Sequence, residues 1–238
     1  MAPEANPGPF SFRITSPHVI PGLVPGTHRA AVARACFRGL MGSVVAFGAA
    51  MTILYTTRLR LEPFAEQHLD GLHAMNQLPK VMRYISGRPE TREQTAAWIA
   101  GVQRCWAAWG TSWWAFIETT SNRIAGAGCI QYARREAELP ADLESLRRNP
   151  LEIGWRLHPD FWRQGLASEA ALCMAAFAFD HLAASELIAV RHPDNAASAG
   201  VMDRLRMRYR GLDDWYGEPG ATHSVSRADW LKLSSEPL

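Results

Sequence analysis

The chain has 238 residues, of which 47% are hydrophobic and 20% are charged. This composition supports a buried core and excludes a chain that is disordered, collagen-like or coiled coil throughout. Residues 1–50 hold four Arg against one Glu, so the remaining residues carry 21 basic and 22 acidic side chains. The basic excess therefore belongs to the first 50 residues, and global charge gives no support to nucleic-acid binding.

Four cysteines are spread along the chain, at Cys36, Cys105, Cys129 and Cys173. They form no C-x-x-C pair and no Cys/His spacing that is typical of zinc sites. We therefore expect reduced, structural thiols in a cytoplasmic protein, without a bound metal.

Residues 1–50 differ in composition from the rest. Six prolines among residues 1–28 predict a poorly ordered tail. The uncharged stretch 39–57 follows several arginines, like a signal or membrane anchor, but Gly, Ser and Thr dilute it. Three explanations stay open: an extension upstream of a natural start at Met51, which we prefer; a signal or anchor; and an ordered extra segment. Residues 51–238 are predicted to form a single domain, without membrane association.

From residue 58 onward, strand-like and helix-like segments alternate, which is typical of a layered α+β (α/β) domain. Segment 134–150 reads as a loop or short helix. The other predicted elements are strand 58–62, helices 65–77 and 91–109, a hairpin of 112–118 and 123–132, strand 151–158, helix 166–182, strand 186–191, helix 195–206, and strands 207–216 and 222–228.

The helix over 91–109 is amphipathic with an aromatic face. Thr91 and Gln94 form a capping-box pattern at its start. Its tryptophans are expected to pack in the core or, with the two that follow on the next strand, to shape an acceptor pocket. These residues are Trp98, Trp106, Trp109, Trp113 and Trp114.

The bend from Arg163 to Ser168 (RQGLAS) lies between a strand and a helix. Such a bend directs unpaired backbone N–H groups toward one point at a helix N-terminus, where an anion such as a diphosphate fits. Gly165 permits a positive φ, and Ala167 leaves the first turn uncrowded. The alternative is a glycine turn that only starts a helix. No P-loop and no complete G-x-G-x-x-G fingerprint is present.

Three segments of the sequence resemble conserved segments of a known protein family. EIGWRLHPDFWRQGLASEA, from Glu152 to Ala170, resembles the acetyl-CoA signature of the GNAT superfamily, especially its branch of ribosomal-protein N-terminal acetyltransferases (RimJ/RimL type). RLRLEP, from Arg58 to Pro63, resembles the opening strand of that branch. NAASAGVMDRL, from Asn195 to Leu205, resembles its second conserved block. The similarity spans roughly residues 56–231, about the size of one such domain.

The resemblance implies a mixed, mostly antiparallel central sheet, splayed at its middle and flanked by helices. It places acetyl-CoA, without a metal, between the strands near 151–158 and 186–191. The residues implied to hold acetyl-CoA are Leu157, Arg163, Gln164, Gly165, Leu166, Ala167, Ser168 and Asn195. Trp162 and Arg206 depart from the family pattern, and Arg206 replaces a frequent glycine, so the local backbone there is expected to differ.

The resemblance also implies an enzyme that transfers acetyl directly to a primary amine, on a peptide N-terminus or a small molecule, in a ternary complex. Glu152 would be the base, acting through water, and Ser198 or Tyr209 the proton donor to the thiolate. A larger fraction of an α-amine, with a pKa near 8, is neutral at pH 7 than of a lysine side chain. An α-amine therefore needs less help from a base, so an enzyme with a weak catalytic base is expected to prefer α-amines.

Structural roles remain open for each candidate: Asn195 as a helix N-cap, Ser198 in a first helical turn, Tyr209 within a strand, and Glu152 at an exposed strand start. A different functional class also remains, a non-catalytic acyl-CoA-binding sensor or interaction module. The expected partner is an amine acceptor rather than nucleic acid or membrane, and a homodimer is left open.

Overall fold

The computed structural model describes residues 51–235, with side chains to residue 232. Cys36 and the three explanations for residues 1–50 therefore lie outside the described residues. Within 51–235, no helix has both the length and the apolar character needed to cross a membrane. Cys105, Cys129 and Cys173 are buried, as expected for structural thiols.

One mixed sheet forms the centre of the described part of the chain. The strands are β1 (Leu54–Tyr55), β2 (Leu59–Pro63), β3 (Trp113–Glu118), β4 (Ile124–Tyr132), β5 (Leu151–Leu157), β6 (Glu186–Arg191), β7 (Arg208–Trp215) and β8 (Glu218–Ser226). Their order in the sheet is β1-β2-β3-β4-β5-β6-β8-β7, and all neighbours pair antiparallel except β5 and β6, which are parallel. This confirms the mixed, mostly antiparallel sheet.

Helices flank this sheet. They are α1 (Leu69–Asn76), α2 (Pro79–Met82), α3 (Arg92–Trp109), α4 (Leu166–Asp180), α5 (Ala196–Arg204) and α6 (Arg227–Ser235). The predicted capping box at α3 is confirmed, since Thr91 Oγ1 accepts from the Gln94 amide at 3.2 Å and Gln94 Oε1 accepts from the Thr91 amide at 2.8 Å. The sequence analysis missed β1, α2 and α6.

The two faces of the sheet carry different helices. Gly128 of β4 faces α4, because a Cβ at Gly128 would lie 2.8 Å from Met174 Cε. Its missing side chain lets α4 approach the sheet closely. On the opposite face, the Trp98 ring of α3 lies 5.1 Å from that of Trp113 on β3.

The sheet opens between β5 and β6. These strands pair only at Leu151 with Leu187 and at Glu152 with Ile188. Beyond this point β5 continues to pair with β4 through Leu157, and β6 with β8 through Arg191. The two strands therefore diverge after their first pairs, which confirms the predicted splay.

One expectation about the backbone is wrong. Arg206 adopts φ 57, a left-handed conformation, so the backbone there takes the positive φ that a glycine would provide. The amide of Arg206 donates to Asp203 O at 3.0 Å, and that of Met207 donates to Met202 O at 3.0 Å, which closes the end of α5. The turn keeps this conformation although a positive φ costs an arginine about 1 kcal/mol or more.

Candidate functional site

The bend between β5 and α4 presents free backbone donors. Arg163 has φ 60 and Gly165 has φ 79, and Gly165 caps α4 without a side-chain hydrogen bond. Among residues 51–235, no acceptor takes a hydrogen bond from the amides of 163–168. Unpaired amides at the positive end of a helix are suited to a diphosphate, so these residues fit the anionic part of acetyl-CoA.

A buried carboxylate anchors this bend to the start of β2. Glu169, in the first turn of α4, is only 4% exposed. Its oxygens accept from Thr56 Oγ1 at 2.6 Å and from the Arg58 backbone N, Nε and Nη2 at 2.8, 2.7 and 2.6 Å. Arg58 Nη1 also donates to the carbonyl of Gln164 at 2.9 Å. The Arg58–Glu169 pair therefore fixes the bend, and the sequence analysis missed it although both residues stood in the resembling blocks.

The other side of the opening is formed by the junction of β6 and α5. Asn195 Oδ1 accepts from the Ser198 amide at 3.2 Å, so Asn195 is an N-cap of α5. The Ser198 hydroxyl makes no hydrogen bond to a residue of the described chain. Leu157, the last residue of β5, accepts from Trp162 Nε1 at 2.8 Å through its carbonyl. Trp162, a departure from the family pattern, thus folds back onto β5.

Glu152 lies where the sheet divides, and it is buried rather than exposed. Its backbone pairs with Gln131 of β4 and Ile188 of β6, and its side chain is 7% exposed. Its carboxylate accepts a hydrogen bond from the Tyr216 hydroxyl and a long one, 3.5 Å, from Gln131 Nε2. Burial raises the pKa of Glu152, and this outweighs the opposing effects of Tyr216, Gln131 and the Val190 backbone. A raised pKa brings a carboxylate closer to the value that suits a general base at neutral pH.

Tyr216 reaches Glu152 from the tip of the β7–β8 hairpin. Tyr216 has φ 59 and Gly217 has φ 79, the left-handed pair typical of a two-residue hairpin turn. The amide of Tyr216 donates to Arg134 O at 3.0 Å, and the Arg134 guanidinium lies 4.7 Å from the Tyr216 ring centre. Burial and the neighbouring carboxylate raise the pKa of Tyr216 well above its usual value, so its hydroxyl remains a donor.

The structure does not bring Tyr209 to this carboxylate. Tyr209 pairs with His223, which pairs with Ala189, whereas Glu152 pairs with the preceding residue, Ile188. Successive side chains of a strand point to opposite faces, so Tyr209 and Glu152 lie on different faces. Tyr209 is also 58% exposed. The tyrosine beside Glu152 is therefore Tyr216, which the sequence analysis missed because 64 positions separate it from Glu152.

The predicted aromatic stripe divides between two environments. Trp106 and Trp114 are core residues, 1% and 0% exposed. Trp98 and Trp113 are only partly buried, and Trp113 Nε1 donates to Gln131 Oε1 at 2.9 Å. The partly buried pair thereby continues the polar network that ends at Glu152.

A divided sheet, with a bend of unpaired amides on one side and a buried carboxylate at the point of division, suits an enzyme that binds an anionic co-substrate beside a proton-accepting group. Residues 58–208 match the family described as "Acetyltransferase (GNAT) domain", and the chain belongs to this family. Members of the family use acetyl-CoA as co-substrate and an amine-containing acceptor.

Individual relatives agree with this assignment. The "FsC-acetyl coenzyme A-N(2)-transacetylase" of Aspergillus fumigatus is 27% identical over 203 residues, which cover 79% of this chain and 82% of the relative. An acetyltransferase structure from Agrobacterium tumefaciens superposes with a TM-score of 0.62 at 20% identity, covering 77% of this chain and 98% of its own. A RimL structure superposes with a TM-score of 0.57 at 16% identity, covering 77% and 99%. These two structures support the fold.

Proposed function

We propose that this chain is a cytoplasmic N-acetyltransferase that moves an acetyl group from acetyl-CoA directly to a primary amine in a ternary complex. The observation that carries the proposal is the buried, hydrogen-bonded Glu152 at the point where the sheet divides. The acceptor is an α-amine of a peptide or a small molecule. The names of two similar proteins support this class, an N(2)-transacetylase and a "Ribosomal L7/L12 alpha-N-protein acetyltransferase". Membership of the RimJ/RimL branch is part of this proposal.

The residues proposed to bind acetyl-CoA surround the opening. The free amides of 163–168 bind the diphosphate, while Asn195 and the end of β5 at Leu157 contact the arm that leads to the thioester. When bound, acetyl-CoA supplies an acetyl thioester, whose carbonyl carbon is open to attack by an amine. The Arg58–Glu169 pair acts only as support for the bend, since its donors and acceptors bond to each other and to Gln164.

The proposed proton path uses two groups. The acceptor amine forms its bond to the acetyl carbon and loses a proton to the Glu152 carboxylate, directly or through water. The sulfur that leaves takes a proton from the Ser198 hydroxyl, which is recovered from solvent. Tyr216 is a positioning residue: its hydroxyl bonds to one Glu152 oxygen and leaves the other for the incoming proton. Holding the amine next to the thioester supplies much of the acceleration.

The variant Glu152→Gln tests this function in the full chain. Thiol release is measured with a panel of primary amines, and acetyl-CoA affinity by calorimetry. We expect kcat to fall about 100-fold or more with the affinity unchanged. Glu144→Gln is the matched control, because Glu144 is 63% exposed and its side chain pairs only with Arg147 among the described residues. Wild-type protein that binds acetyl-CoA but releases no thiol with any amine would favour the non-catalytic binding module.

Unfolding in urea separates catalysis from folding. Because burial raises the folded pKa of Glu152 above its ordinary value of 4.5, this group adds stability at low pH and loses that contribution as pH rises through the folded value. The Gln variant, which does not titrate, should therefore gain stability relative to wild type as pH rises. A variant that is inactive and also unfolded at neutral pH would point to a structural role instead.

A further inference from the structure

Arg156 is partly buried, and most of its guanidinium is withdrawn from water. Its Nε and Nη2 atoms are sealed from water and make no hydrogen bond. Within residues 51–235, the guanidinium forms no ion pair and no hydrogen bond with any side chain or carbonyl. Burial lowers the pKa of Arg156 to about 10. An unsatisfied buried donor costs free energy and is rare in folded proteins, so this group requires a physical explanation.

The acidic residue that acts on Arg156 does not bond to it. Glu90 attracts the guanidinium electrostatically. However, the Glu90 carboxylate accepts from Asn76 Nδ2 at 2.8 Å and from Thr95 Oγ1 at 3.3 Å. Among residues 51–235, the charge of Arg156 is therefore balanced only at a distance. Its Nη1, which is not among the atoms sealed from water, is the donor open to an incoming acceptor.

Aromatic rings hold the guanidinium in place. Its central carbon lies 4.2 Å from the Trp98 ring centre and 5.3 Å from that of Trp113. Phe64 packs edge-on against Trp98, with ring centres 4.6 Å apart. Stacked rings keep the planar guanidinium preorganised, which suits a charge-assisted hydrogen bond to a carboxylate.

Arg156 lies on the same face of β5 as Glu152. The two are four residues apart, so their Cα atoms are separated by about 13 Å along the strand. Gly154 lies between them on this face and contributes no side chain, and its neighbour on β4 is the buried Cys129. A carboxylate base and a guanidinium thus flank a stretch of strand without a side chain, next to Trp113, which is linked to Glu152 through Gln131.

We propose that Arg156 binds a carboxylate of the acceptor, so that the substrate is a primary amine that also carries a carboxylate, as a free amino acid or a short peptide does. This inference rests on the proposed function, because it assigns the acceptor amine to Glu152. The carboxylate bonds to the guanidinium at Nη1, the nitrogen that is not sealed from water, while the amine lies at the division of the sheet. Acceptors of the same shape that lack the negative charge are poorer substrates, since they leave the guanidinium unpaired.

The kinetic test compares acids with their amides. Alanine and alanyl-alanine, each with its C-terminal amide, are assayed with wild type, Arg156→Gln and Arg92→Gln. Arg92→Gln is the control, because it removes the same charge from an ion pair with Asp70 that is exposed to solvent. We expect Arg156→Gln to lower kcat/KM for the acids about 10- to 100-fold, mainly through KM, and to leave the amides unchanged. If kcat/KM falls more for alanine, the carboxylate is that of a free amino acid. If it falls more for alanyl-alanine, the carboxylate is that of a short peptide.

Nuclear magnetic resonance provides a readout that does not depend on turnover. The Nε–H signal of Arg156 is assigned by its absence in Arg156→Gln. Its chemical shift is then measured in the presence of CoA while N-acetyl-alanyl-alanine or its amide is added. A shift with the acid alone supports the carboxylate site, even if no amine is acetylated and the proposed function fails. Equal shifts with both compounds, no shift with either, or equal losses for acids and amides in the kinetic assay would overturn the inference while leaving acetyl transfer intact.

Discussion

Replacing Arg58 with alanine should destabilise the bend that carries the free amides. Glu169 would keep its hydrogen bonds from Thr56 and the backbone of residue 58, but would lose those from Nε and Nη2. Removing one partner of a buried ion pair costs about 3–5 kcal/mol. Because the Arg58 side chain is 45% exposed and Glu169 only 4%, water replaces part of the loss, and we expect about 2–3 kcal/mol.

Urea unfolding of four proteins measures this coupling. They are the wild type, Arg58→Ala, Glu169→Gln and the double variant, and the double-mutant cycle should give a coupling free energy of about 2 kcal/mol. Arg123→Ala is the control. The side chains of Arg123 and its partner Asp160 are 57% and 53% exposed, so this ion pair is expected to contribute less than about 1 kcal/mol to stability. Acetyl-CoA affinity should also fall in Arg58→Ala, since the Gln164 carbonyl loses its donor. A coupling below about 0.5 kcal/mol would refute the anchoring role.

Two further changes test the site from different sides. Gly165 has φ 79, and an added Cβ would meet only Arg58 Nη2 at 3.6 Å, so Gly165→Ala should cost about 1–2 kcal/mol of stability from backbone strain alone. Gly165→Glu should in addition abolish acetyl-CoA binding in calorimetry, and retained binding would remove the diphosphate from this bend. Tyr216→Phe deletes a hydrogen bond that lowers the pKa of Glu152, so the acid limb of the pH profile of kcat/KM should move to higher pH. An unmoved limb would mean that Glu152 is not the titrating base.

Much of the fold follows from local patterns. Helix α3 has a capping box at one end and Gly110 in the left-handed conformation at the other, so its boundaries are encoded in adjacent residues. Strand β6 was predicted with its observed limits because an apolar run ends at Arg191 and the His-Pro turn. Helix α6 was missed because its first residue, Arg227, follows β8 directly without a turn, and its short polar sequence has a weak apolar face.

The site was less accessible to sequence reasoning, for a geometric reason. The bend at Gly165 is a local feature, and the sequence analysis identified it. Glu152 was expected to be an exposed carboxylate or a base, and its burial depends on Tyr216 and Gln131, which belong to other hairpins. Among residues 51–235, Arg156 forms no ion pair, and Glu90, which attracts it electrostatically, accepts a hydrogen bond from Asn76. Contacts of this kind require three-dimensional positions, since no spacing in the sequence encodes them.

The narrow joint between β5 and β6 also bears on how the chain assembles. Strands β1 to β5 each pair with the next strand in sequence, and β6 to β8 form a second compact group. The hairpins β3–β4 and β7–β8 close small loops, so one hairpin in each half can form early and rapidly. Only the pairs at Leu151–Leu187 and Glu152–Ile188 join the halves within the sheet. The groove proposed to bind acetyl-CoA exists only after the halves dock, so a local opening of this seam would remove the proposed binding site.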